Sequence, residues 1–313
     1  MKFFLLVGMK KFILLCFVTF SLILAIASCN PSTTTGGSGD IIVASKDFTE
    51  QDILGEMLAQ HIENTTELRV DRRLHLGGTF VCHQALLAGQ IDTYIEYTGT
   101  AFTGILKQKP IGDPQAVYQQ VRSSYAEQFN LEVTPPLGFE NTFAIIVRGE
   151  DARAYNLQTI SQAAQYTPQW QAGFGYEFIQ REDGFPGLAQ TYGLEFARSP
   201  RVMDLGLMYR ALVDKQVDLV AGNSTDGQIA RLDLAILEDD KSYFPPYEAA
   251  PIIRQATLQK YPQLLPAIQQ LGGLITEDEM RSLNYQVEGE LRDIQEVVRE
   301  FLQAKIPARN AKK

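Results

Sequence analysis

Cysteine, histidine, tryptophan and basic charge are all scarce in this chain of 313 residues. Three cysteines (Cys16, Cys29 and Cys82) exclude a disulfide scaffold. His61, His75 and His83 have no metal-ligand spacing with cysteines or with one another, so no metal site is expected. Lysines and arginines number 28 against 37 acids, a net charge of −9. The first 29 residues carry three lysines and no acid, so without them the balance is −12. Nucleic-acid binding needs clustered basic residues, and this chain is acidic. At 45% apolar and 21% charged the composition is that of a folded globular protein, long enough for two domains.

Familiar catalytic motifs are also missing. Gly222-Asn-Ser224-Thr-Asp226 lacks the closing glycine of a nucleophile elbow. Gly173-Phe-Gly175 lacks the third glycine of a dinucleotide fingerprint, and no phosphate-binding loop ends in Gly-Lys-Ser/Thr. Neither an enzyme nor a cofactor is indicated.

What is present begins with an address. Lys10 and Lys11 precede an apolar run from Phe12 to Ala27, which ends in small residues before Cys29. A positive segment, an apolar segment and a cleavage site describe a signal peptide over 1–29, with Met1 and Met9 both available as starts. A retained anchor helix is the alternative, although the run is short for a span. Ile26-Ala-Ser-Cys29 resembles the bacterial lipobox, which implies lipidation of Cys29. Residues 30–39 (NPSTTTGGSG) have nothing to bury and read as a flexible tether. Of the cysteines only Cys82 then remains a free thiol. It sits on a helix among Phe80, Val81 and Ala85 and reads as buried and inert.

From Asp40 onward, strands alternate with helical patterns, which predicts an α/β fold. Strands are expected at Ile41–Ala44, Leu68–Leu74 and Ile91–Tyr97. Helices are expected after a capping box of Thr49 and Asp52, from Thr79 to Gly89, and from Thr276 to Gln303. The segments Ala85–Gly99 (ALLAGQIDTYIEYTG) and Ala211–Thr225 (ALVDKQVDLVAGNST) share Ala, Leu, Gln and Asp in register. Either two αβ units coincide by chance, or two lobes are built alike and Tyr97 corresponds to Asn223. In open α/β sheets the carboxyl ends of strands hold ligands.

Aromatic and cationic residues stand out in loops and beside strands: Tyr97 in EYTGT, Phe143 at the start of a strand and Tyr247 in FPPYEA, with Lys46 after the first strand and Arg181 in QREDG. Converging aromatic faces cage a quaternary ammonium, and a lysine with an arginine at the opposite end clamps a carboxylate. By composition alone, tyrosine and phenylalanine are more often core.

Longer stretches carry a family resemblance. SKDFTEQDILGEMLAQ (45–60), LGGTFVCHQALLAGQIDTYIEYTGTAFTGIL (76–106), REDGFPGLAQTYGLEF (181–196), NSTDGQI (223–229) and LEDDKSYFPPYEAAPI (237–252) resemble the substrate-binding proteins of osmoprotectant ABC importers. That family binds glycine betaine, carnitine or choline. The resemblance implies a type II periplasmic-binding-protein fold, two α/β lobes joined by two crossover strands around a ligand cleft. One lobe would combine residues 40–141 with 248–313, and the other would span 142–247. The family's cage tyrosines fall on Tyr97 and Tyr247, on Phe143, which lacks the hydroxyl, and on Asn223, which lacks a ring. Its carboxylate-binding residues fall on Lys46, Thr100 and Arg181. The implied protein is a lipid-anchored receptor on the outer face of the cytoplasmic membrane, delivering a carboxylated quaternary ammonium compound to separate ABC permease subunits. Asn223 leaves an alternative, another zwitterion such as an ergothioneine-like betaine or an amino acid.

Overall fold

The computed structural model describes residues 40–306. The expected signal peptide, the expected lipidation site Cys29 and the expected tether lie outside the described residues. Among the described residues no helix is long and apolar enough to cross a membrane.

Among the described residues, ten strands form two mixed sheets. β1 (Ile41–Ala44), β2 (Val70–Arg73), β3 (Thr93–Tyr97), β4 (Leu131–Val133) and β10 (Ala249–Arg254) make the first, in the order β2-β1-β3-β10-β4. β5 (Phe143–Arg148), β6 (Ala172–Phe174), β7 (Arg201–Val202), β8 (Leu219–Asn223) and β9 (Leu234–Leu237) make the second, in the order β7-β6-β8-β5-β9. The chain passes from one sheet to the other twice, between β4 and β5 and between β9 and β10. The two crossings pair where Glu140 faces Glu248, and Asn141 N–H donates to the Tyr247 carbonyl at 3.0 Å.

Period-two alternation explains why each sheet is covered on both faces. In β1, Ile41 and Val43 join one apolar cluster while Ala44 joins another; in β10, Ala249 and Ile253 go one way and Ala250 and Ile252 the other. In β5, Ile145 and Val147 likewise part from Ala144 and Ile146. The helix Thr49–Thr65 fills the first cluster with Ile53, Leu54, Met57, Leu58 and Ile62, packing with the helices Glu277–Glu288 and Ile294–Lys305. Each such side chain contributes roughly 1.5–3 kcal/mol by leaving water.

The repeated segment is structural. β3 and β8 occupy the central place of their sheets, each parallel to one neighbour and antiparallel to the other. Asp92 accepts from Ile42 N–H at 2.9 Å, and Asp218 accepts from Gln171 N–H at 2.9 Å. Each aspartate therefore pins its strand to the start of the parallel neighbour.

Some local expectations need correcting. Thr49 does not cap its helix: Phe48 is the N-cap and makes no side-chain cap, while Asp52 accepts instead from Ser45 Oγ at 2.5 Å and from His75 N–H at 3.0 Å. A capping box does form at Thr276 and Glu279. Phe80 and Val81 are exposed, so Cys82 is buried against Ala85, Leu86 and the Ser45 and Gly77 carbonyls. Burial pushes its thiol up to about 12, which keeps it protonated and unreactive.

Candidate functional site

Strands β1, β3, β6, β7 and β8 end, and the antiparallel strands β5 and β10 begin, around one cavity. Lys46 follows β1, Tyr97 closes β3 and Asn223 closes β8. Phe143 opens β5, and Tyr247 stands two residues before β10. Residues 175–181 follow β6 and Met203–Leu205 follow β7. Thr100 begins a single π-helical turn, Thr100–Ile105, an irregularity common at functional sites. All seven residues singled out from the sequence (Lys46, Tyr97, Thr100, Phe143, Arg181, Asn223 and Tyr247) line this cavity. Its volume is about 110 Å³. Sites for drug-sized ligands run to roughly 300–1,000 Å³, so this one suits a small molecule.

Phe143 lies edge to face with two other rings. Phe143 and Tyr247 have centroids 5.8 Å apart at 76°, and Phe143 meets Phe178 at 4.9 Å. Phe48 stacks on Tyr97 at 6.5 Å. Asn223 faces Phe143 directly across the β5–β8 pair. Tyr97 and Tyr247 are 4% and 1% exposed and belong to the first core as well as to the cavity wall, so the two readings of these rings coincide. Gly99 is required beside Tyr247. A Cβ there would stand 2.6 Å from the Pro246 carbonyl oxygen and 2.7 Å from the Tyr247 ring.

The cations are not at an end opposite the rings. Lys46 Nζ stands 4.5 Å from the Tyr97 ring centre, and the Arg181 guanidinium carbon 5.4 Å from that of Phe143. Both are also partnered by buried acids. Lys46 Nζ lies 2.5 Å from Glu96 Oε1 and 3.3 Å from Thr79 Oγ1. Arg181 Nε donates to Asp183 Oδ1 at 2.9 Å, and its Nη2 donates to Asp183 Oδ2. Its Nη1 reaches Thr100 Oγ1 at 3.4 Å. An ammonium has three donors and a guanidinium five, so each keeps hydrogen-bonding capacity toward the cavity.

Ionisation follows from these pairings. Burial raises the Asp183 carboxyl, but the hydrogen bonds and charge of Arg181 outweigh it and hold the group below its ordinary value. Burial depresses Arg181, and Asp183 more than restores it. For Glu177 burial prevails over the pull of Lys46 and Arg181, so its carboxyl is raised. Thr103 Oγ1 donates to Asp183, which ties the π-helical turn to the Arg181–Asp183 turn across the cavity.

Sequence reasoning missed several wall residues. Phe48 and Tyr176 are aromatic, Asp47, Glu177 and Asp204 acidic, and Met203 and Leu205 aliphatic. The clustering of rings around Lys46 and of acids around Arg181 was the available signal for Phe48 and Glu177. No local pattern points to Met203 or Leu205.

Residues 39–304 match the substrate-binding domain of ABC-type glycine betaine transport systems. The chain belongs to that family. It is 38% identical over 300 residues to the carnitine transport binding protein OpuCC of Listeria monocytogenes, covering 94% of this chain and 96% of that one. It is 36% identical over 264 residues to the ergothioneine transport permease/ergothioneine binding protein EgtU of Helicobacter pylori, covering 84% of this chain and 47% of the relative. A crystal structure of a glycine betaine/carnitine/choline ABC transporter protein superposes with a TM-score of 0.69 at 33% identity, over 84% of this chain and 98% of the other. The fold is that of a periplasmic binding protein, and the chain is a substrate-binding protein of ABC transport.

Proposed function

We propose that this chain captures a carboxylated quaternary ammonium osmoprotectant, of the glycine betaine type, and hands it to a separate ABC permease. The observation that carries the reading is the joint lining of one small cavity by Tyr97, Phe143 and Tyr247 with Lys46, Thr100 and Arg181. The rings offer negative faces to a cation that cannot donate hydrogen bonds. The remaining donors of Lys46, Thr100 and Arg181 suit a carboxylate. Because Glu96 and Asp183 already balance the two cations, the clamp orients the carboxylate by hydrogen bonds more than by net charge. The ligand leaves unchanged, so the protein is a receptor and not an enzyme. Lobes of residues 40–141 with 248–313 and of 142–247 close around it. Cleavage before Cys29 and lipidation there hold the receptor at the outer face of the cytoplasmic membrane, on the tether 30–39.

Asn223 favours a second reading. Where the family's fourth ring falls, an amide faces Phe143 and lines the cavity. That place suits a ligand with polar atoms beside its cation, such as an ergothioneine-like betaine. A thermal-shift screen with glycine betaine, carnitine, choline, ergothioneine and amino acids separates the readings, since a saturating ligand raises stability by RT ln(1 + [L]/Kd). The first reading expects the largest shift with a betaine or carnitine, and the second with ergothioneine. A shift with amino acids alone overturns the first, and a shift with choline alone overturns both.

A further inference from the structure

Glu50 lies in the first turn of the helix Thr49–Thr65 and is 2% exposed. Its two oxygens accept four hydrogen bonds from four separate parts of the chain. Oε1 accepts from Tyr97 Oη at 2.6 Å and from Asn141 Nδ2 at 2.7 Å. Oε2 accepts from Thr225 Oγ1 at 2.6 Å and from Asn284 Nδ2 at 2.9 Å. A carboxylate has about four lone-pair sites, and here all four are used. Tyr97 closes β3, Asn141 lies in the first crossing, and Asn284 belongs to the helix Glu277–Glu288. Thr225 alone comes from the side of the second sheet, in the loop that follows β8, two residues after Asn223.

That loop is held at further points. Asn284 Nδ2 also donates to the Thr225 carbonyl at 2.9 Å. Gly227 presses on the same helix, where a Cβ would stand 2.8 Å from the Tyr285 backbone nitrogen. Glu50 therefore touches two residues of consequence at once, the Tyr97 ring in the cavity wall and the loop that carries Asn223.

We propose that Glu50 is a positioning residue, a clasp that holds the Asn223 loop against the first sheet and thereby sets Tyr97 and Asn223 at their places around the ligand. A glutamine would supply one accepting oxygen and turn an NH2 toward two donors, so half the clasp would be lost. Buried networks of this kind fail as units, because each bond polarises the next. The positional role toward a ligand rests on the function proposed above; the clasp itself does not.

Thr225→Val tests it most gently, since it removes one hydroxyl and keeps the shape. Hydrogen–deuterium exchange of the full chain without ligand is expected to show residues 223–229 exchanging about tenfold faster, with the helix Leu205–Val213 unchanged. Thr225→Ser keeps the hydroxyl and is expected to exchange as the parent. Glu50→Gln is expected to speed exchange in both 223–229 and the β3 end. Unchanged exchange at 223–229 in Thr225→Val overturns the clasp. Titration of Thr225→Val with glycine betaine is expected to give about tenfold weaker binding, equivalent to about 1.4 kcal/mol. Parent affinity in a variant with accelerated exchange overturns the positional role. If the parent chain binds no betaine, the function proposed above fails, and the exchange result still decides the clasp.

Discussion

Lys46 Nζ lies 2.5 Å from Glu96 while standing 4.5 Å above the Tyr97 ring. One ammonium thus serves a buried ion pair and an aromatic wall together. Removing one partner of a buried pair costs roughly 3–5 kcal/mol, because a charge is left uncompensated. Glu96→Gln is therefore expected to lower the melting temperature without ligand. A ligand carboxylate would then supply the missing negative charge. Thermal melts are expected to show glycine betaine stabilising Glu96→Gln more than the parent, with no such gain from choline. Equal gains from both ligands would mean that no carboxylate reaches Lys46.

The Arg181–Asp183 pair calls for a double substitution. Arg181→Ala alone strands Asp183, buried and facing only Thr103. That variant is expected to lose every ligand through local collapse. Arg181→Ala with Asp183→Ala removes both charges together. Hydrogen bonds to charged groups contribute roughly 1.5–3 kcal/mol, so glycine betaine is expected to bind at least about tenfold more weakly, and choline nearly as before. Calorimetric titration with the two ligands checks this, and equal losses would remove Arg181 from the clamp.

Asn223 sits opposite Phe143 in the β5–β8 register, so a ring placed there would stand beside an existing one. A desolvated cation–π contact contributes about 2 kcal/mol. Asn223→Tyr is expected to tighten glycine betaine roughly ten- to thirtyfold. A bulkier ligand that uses the amide is expected to bind worse. If neither affinity moves in titration, Asn223 takes no part in recognition.

Asp226 brings pH dependence to the same loop. Burial pushes its carboxyl up to about 7, and Glu288 and Glu50 add to the rise against hydrogen bonds from Tyr209 and the Asn223 N–H. The folded chain then keeps a proton between about pH 4 and 7 that the unfolded chain releases. Stability contributed by this group is full at low pH and lost as pH rises through that window. Denaturant unfolding at about pH 5 and 7.5 is expected to show a loss in the parent that Asp226→Asn does not share. Identical losses would place the titration elsewhere.

Much of this architecture is legible in sequence, for physical reasons. Asp92 and Asp218 stand out because each needs a carboxylate at the start of a central strand to pin its neighbour. Lys46, Tyr97, Thr100, Phe143, Arg181, Asn223 and Tyr247 follow from a family resemblance read position by position, and they meet at one cavity. Glu50, Glu96 and Asp183 escaped notice because their importance is relational. A glutamate in a helix's first turn looks like an ordinary dipole partner until Thr225 and Asn284, 175 and 234 residues away, close on it. The false capping box at Thr49 failed for the same reason, since Ser45 and His75 from outside the helix claim Asp52.

In the proposed function, rings in this cavity hold the cation of a quaternary ammonium zwitterion while Lys46, Thr100 and Arg181 hold its carboxylate. The decisive measurement is calorimetric titration of the purified chain, and of the variant carrying both Tyr97→Ala and Tyr247→Ala, with glycine betaine, carnitine and ergothioneine. Saturable one-to-one binding of at least one of the three is expected, and it is expected to be lost in the double variant. Binding that survives loss of both rings, or no binding of any of the three, would contradict the proposed function.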